Sequence, residues 1–228
     1  MPGVRADEPY PGARDRDESG RREMNGDRAR PHRPTPYPDL TALIDAAGGS
    51  EPESRAEIAA ATAAVLVRVG REPSGDDARF VALADRIGLD TLAELWRDAD
   101  PVSLPGALWA LYLLRQWCRS GAEEVGRLWR AGEPIAAADA VVAGVADYVD
   151  VESVTRVADD VLAGAYRGDF AVALERAAAL FRVIAAGRRE LAGPDERGEV
   201  ERRLADRNER AAADLATSAR LWRAGALR

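Results

Sequence analysis

Five acidic residues, Asp147, Asp150, Glu152, Asp159 and Asp160, form the group in this 228-residue chain whose type and spacing could do chemistry. Mg²⁺ prefers oxygen ligands. Held by Asp147, Asp150, Asp159 and Asp160, such an ion could activate water against a phosphate ester. Arg156 or Arg167 would then stabilise the charge that develops. The spacing is neither the Asp-Asp-x-x-Asp of prenyl synthases nor the Glu-x-x-Glu of helical nucleotide pyrophosphatases. The same acids also suit the start of a helix near Ser153, where negative charge meets the positive end of the helix dipole.

A second group is cationic. Arg115, Arg119, Arg127 and Arg130 straddle one turn and could converge on an anion, because a guanidinium fork matches phosphate and carboxylate. The alternative is a solvated rim, with Arg115 and Arg119 emerging toward solvent at i, i+4 spacing. Trp109, Tyr112 and Trp117 could line an apolar ligand pocket.

Composition removes most other chemistry. All 32 basic residues are Arg, and there is one His (His32) and one Cys (Cys118). Without Lys there is neither a P-loop lysine nor a Schiff base. A single His in a polar segment cannot build a His-centred triad or a histidine-rich metal site. A single Cys cannot form an internal disulfide or a zinc finger, and Cys118, beside Trp117 on an apolar stretch, reads as a small core residue. The Arg and Ala bias is what a GC-rich genome produces. No cofactor is expected.

The elements that must position these residues are helical. Residues 1–36 are rich in Pro, Gly, Arg and Asp and bury too little apolar surface to offset ordering entropy, so they read as a disordered polar tail. From 37 to 193, apolar residues recur at spacings of three and four. Examples are Ile135/Ala138/Val142/Val145/Val149, Val154/Val157/Val161/Ala165 and Phe170/Leu174/Ala177/Phe181/Ile184. Ser50/Glu53, Thr91/Glu94 and Ser120/Glu123 fit capping boxes. Ser103 with Pro105, and Asp169 before Phe170, also read as helix entries. The spacing gives an all-α, multi-helix bundle of about nine or ten helices. The stretch Ala107–Leu114 is apolar on every face and is expected at its centre.

Residues 194–228 read as one long charged helix expected to dock on the core, with Val200, Leu204, Ala211, Leu215 and Trp222 as a narrow apolar stripe among many charges. Glu199→Arg203 and Asp206→Arg210 stand at favourable i, i+4 spacing. Its stripe can dock on the core at 37–193 or seat a second chain, and Leu215 and Trp222 are the side chains a partner would bury. The triplet Leu-Trp-Arg occurs at 95–97, 128–130 and 221–223. Leu and Trp there either pack inward or serve as interface anchors with Arg.

Net charge is −7 overall, but residues 37–193 hold 16 Arg against 25 acids. An acidic core argues against nucleic acid, whose binding depends on neutralising phosphates. No targeting signal is visible at the first residues, and no uncharged stretch reaches the roughly 18–20 apolar residues of a membrane span. A cytoplasmic location is the default expectation.

Two resemblances add to this reading. Gly168, Phe170, Ala173, Ala177 and Leu180 resemble part of a tetratricopeptide repeat, although Tyr166 stands too close to Gly168 and no second copy occurs near 34 residues away. That resemblance implies peptide or protein binding; an ordinary αα-hairpin explains the same residues. The stretch from Asp90 to Glu133, above all Asp100–Tyr112, resembles a group of small all-helical actinobacterial proteins of unassigned function, over about residues 37–193. Some of that group carry an RNA polymerase β-subunit name. The resemblance transfers no site residue, and no Asp-rich metal loop of the polymerase type is visible here. The expected function is a non-enzymatic protein-interaction or regulatory module that binds a protein partner or itself. The alternatives are a Mg²⁺-dependent phosphohydrolase-like enzyme or ligand sensor, and a polymerase-associated protein by name alone.

Overall fold

The computed structural model describes residues 52–70, 82, 85–86, 88–144 and 151–228. Among them are eight helices and no strand, so the chain is all-helical there. In chain order they are α1 (Pro52–Gly70), α2 (Leu89–Trp96), α3 (Leu104–Ser120), α4 (Ala122–Gly132), α5 (Ala137–Ala143), α6 (Val151–Arg167), α7 (Phe170–Glu190) and α8 (Glu196–Arg223). Eight falls short of the nine or ten expected. The candidate start at Ser50 lies outside the described residues, as does the whole 1–36 segment.

The most extensively packed helix is α7, with α3 sharing the centre. The buried residues of α7 include Phe170, Ala173, Leu174, Ala177, Leu180, Val183, Ile184 and Gly187 on one side and Ala171, Ala178 and Ala185 beside them, which together take up most of its circumference. It packs against α8, α4, α5, α6 and α3, while α3 meets α6, α1 and α2 as a second hub. One side of α3 stays open, with Leu113 exposed and Trp109 and Ala110 half-buried. The even apolarity of Ala107–Leu114 therefore overstated how completely it is enclosed.

The long last helix turns back along α7. Glu175 near the start of α7 meets Arg223 at the end of α8, whereas Arg188 and Arg189 near the end of α7 meet Glu201 and Asp206 in the first half of α8, so the two helices run antiparallel. The two helices meet along small residues spaced seven apart: Ala171, Ala178 and Ala185 on α7, and Gly198, Ala205, Ala212 and Ala219 on α8, all buried. A seven-residue repeat keeps one seam facing the partner helix, and side chains this small let the two axes approach closely. The apolar stripe read from the sequence is not this seam. Val200 is exposed and Leu204 and Ala211 are half-buried, because large residues stand beside the contact line and small ones form it.

Helix entries follow local chemistry in part. The Ser103 hydroxyl accepts from the Gly106 N–H at 3.1 Å, and the Asp169 carboxylate accepts from the Ala171 N–H at 2.9 Å. Each satisfies an orphan donor of the first turn. Asp195 does the same for Gly198. Two expected boxes do not form. Helix α2 starts at Leu89 behind Gly88, whose φ of 86° a side chain would strain, so Thr91 already lies inside it. Ser120 donates back to the Gln116 carbonyl, and Gly121 precedes α4 without a side-chain cap.

Candidate functional site

Helix α3 turns its Arg115 inward. The residue is only 2% exposed, because its position on α3 faces α6 and the segment around Asp85. Its Nε donates to Asp159 Oδ1 at 2.6 Å, and its two terminal nitrogens donate to the two oxygens of Asp85 at 3.1 and 2.9 Å. This is the bidentate fork that a guanidinium makes with a carboxylate. Arg119, one turn on, stands 3.7 Å from Asp85 and 3.7 Å from Asp159. Two cations and two anions thus close a neutral four-residue network.

The electrostatics follow from that geometry. The hydrogen bond from Arg115 holds the Asp85 carboxyl below its ordinary range, against the opposing effect of partial burial. For Arg115, burial pulls the pKa down, but the bonds to Asp85 and Asp159 outweigh it and the net direction is up. Beneath the network lies Cys118, fully buried, with its thiol pushed up to about 12 by burial and by the nearby Asp159 charge. A thiol so placed is not a nucleophile at neutral pH. Tyr112 and Tyr166 share a hydroxyl–hydroxyl bond of 2.9 Å deeper in the core, and burial raises both phenols above their ordinary value.

A second buried cation sits where four helices meet. Arg188 on α7 donates to Glu201 on α8 at 2.6 Å and to Glu124 on α4 at 3.2 Å, and its guanidinium lies 5.4 Å from the Trp117 ring of α3. Nothing in the sequence pattern singled it out. Its signal is a charge at i+4 from Ile184, on the apolar stripe, where an unpaired cation would be costly.

The residues chosen from sequence are therefore dispersed. Asp147 and Asp150 lie outside the described residues. Asp159 is bound to Arg115, and Asp160 points to solvent on α6. Among the described residues no cluster of three or more His, Cys, Asp or Glu is placed to hold a metal ion. Arg115 does not emerge toward solvent with Arg119 as expected; two carboxylates draw it under the surface. Arg127 and Arg130 are exposed on α4. Leu215 is buried, and the half-buried Trp222 packs edge-on against Phe170 with ring centroids 4.8 Å apart. Both side chains are engaged within this chain. Trp96 and Trp129 of the other two triplets are buried, whereas Arg97 and Arg130 are exposed.

Apolar side chains do reach the surface on α5. Ile135, just before it, is 57% exposed, Val141 is 81% exposed and Val142 is 52% exposed, whereas Ala140 and Ala143 face inward. The stripe Ile135/Ala138/Val142 read from sequence as core thus faces outward. The short helix is held by its small residues, by Arg182 donating to Asp139 at 2.9 Å, and by Arg176 donating to the Ala143 carbonyl at 3.1 Å.

No family model, curated protein or solved structure matches this chain. Among the described residues no helix is long and apolar enough to cross a membrane.

Proposed function

We propose that the protein is a non-enzymatic interaction module that binds another protein through the outward face of α5. The observation that carries this reading is the exposure of Val141 and Val142 on this short helix and of Ile135 just before it. Branched aliphatic side chains grouped on a surface mark contact sites more often than singly scattered ones do. The polar groups elsewhere support the same reading. Arg115, Arg188, Asp85 and Asp159 are occupied in pairing helices, and Cys118 is sealed in the core. The partner presents a complementary apolar face, and its apolar area supplies the affinity.

A photo-crosslinking residue placed at Val141 in the full chain tests this. The expected result is one reproducible crosslinked protein that binds the purified wild-type chain directly and fails to bind a triple variant, I135S/V141S/V142S, of unchanged helicity. Equal binding by the triple variant would overturn the assignment of this face.

A further inference from the structure

We propose that the groove between the start of α3 and the middle of α8 is a binding site for a small apolar anion, a carboxylate or phosphate carried on a hydrophobic body. The groove is open to solvent, holds about 320 Å³, and is lined by Pro101, Gly106, Ala110, Ala211 and Leu215 together with Arg207, Arg210 and Asp214. Its floor is apolar and its α8 wall is cationic.

The state of the two arginines is what points to an anion. Arg202, Arg203 and Arg223 on α8 each pair with a glutamate. Among the described residues Arg207 and Arg210 have no such partner, although acids surround them in sequence. Asp206, at the favourable i, i+4 position for Arg210, is taken by Arg189 of α7 at 3.1 Å, and Glu209 is taken by the same arginine at 3.2 Å. The packing of α8 on α7 thus withdraws Asp206, the carboxylate placed to pair with Arg210. Two guanidinium forks remain at one cavity wall, beside apolar surface, which is the pairing an amphipathic anion requires. Asp214 lines the cavity one turn beyond Arg210, so the anionic head belongs at the Arg207–Arg210 end and the apolar body over Ala110 and Leu215.

The test is a titration of the ¹⁵N-labelled full chain with three probes: 4-phenylbutyrate, its neutral amide, and inorganic phosphate. The expected result is saturable shifts of the Gly106, Ala110, Ala211 and Leu215 amides with 4-phenylbutyrate, and binding about tenfold weaker or worse for each of the other two probes. The double variant R207Q/R210Q, with circular dichroism unchanged, should lose at least about tenfold in affinity for 4-phenylbutyrate. No saturable shift up to about 10 mM, equal binding of the amide, or undiminished binding by the double variant would each overturn the proposal. Phosphate binding as tightly as 4-phenylbutyrate would overturn the role of the apolar floor.

Discussion

Gly132 and Gly187 meet backbone to backbone where α4 crosses α7. A Cβ built on Gly132 would overlap the Val183 carbonyl oxygen and lie 2.7 Å from the Gly187 nitrogen, and one built on Gly187 would overlap the Leu128 carbonyl oxygen. Main chain cannot yield as a flexible side chain does. The crossing therefore requires glycine for space, although both positions sit in ordinary helical backbone. Gly187→Ala should destabilise the fold by about 2–4 kcal/mol, read as a lower denaturant midpoint at unchanged slope. A loss within about 0.5 kcal/mol would mean that the helices separate without cost.

Trp222 gives the second prediction. Its ring lies edge-on to the fully buried Phe170, a contact that closes the far end of the α7–α8 pair. Trp222→Ala should lower the stability of the isolated chain by about 2–4 kcal/mol. If Trp222 served only as an anchor for a partner, thermal unfolding of the isolated chain would be unchanged.

Acid should weaken the Arg115 network in a definite window. The hydrogen bond from Arg115 lowers the Asp85 pKa below its ordinary value, so its contribution to stability is complete above the unfolded value near 4 and is lost as pH falls through the lower, folded value. The Asp85 side chain is 42% exposed and screened, so the contribution is about 0.5–1 kcal/mol. The stability difference between wild type and Asp85→Asn should therefore be constant from about pH 5 to 7 and shrink below about pH 4. A difference that grows on acidification would contradict the pairing. Chemical denaturation at each pH supplies the measurement.

Cys118 should be silent to thiol reagents in the folded protein. Burial removes access, and a thiol pKa of about 12 leaves almost no thiolate at pH 8. The chain has one Cys, so a colorimetric assay reports it alone. Reaction should be slow in buffer and complete in denaturant; rapid native reaction would show that the α3 face opens.

Sequence periodicity was enough to read helices where they occur. Apolar residues at three and four, with Ser103 and Asp169 as caps, act within one turn, so α3 and α7 begin where local chemistry places them. The long α8 was legible for the same reason, since its favourable charge spacing and the absence of Pro within it are local facts. Cys118 was legible as core because, with Trp117, it extends the apolar stretch Ala107–Leu114.

The sites were not legible in this way. The same i, i+4 rule that pairs Glu199 with Arg203 failed for Asp206 and Arg210, because Arg189 of another helix reached Asp206 first. Arg115 looked like a surface residue until Asp85 and Asp159, 30 and 44 positions away, surrounded it. The stripe at Ile135 and Val142 had the right period for core but, among the described residues, no helix covers it. Period and capping are set by bonds within a few residues, so the amino-acid sequence by itself determined which segments coil and which side chains share a face. Which charges are neutralised, which glycines touch main chain and which apolar face stays bare depend on atoms distant in the chain, and only the tertiary structure decided them.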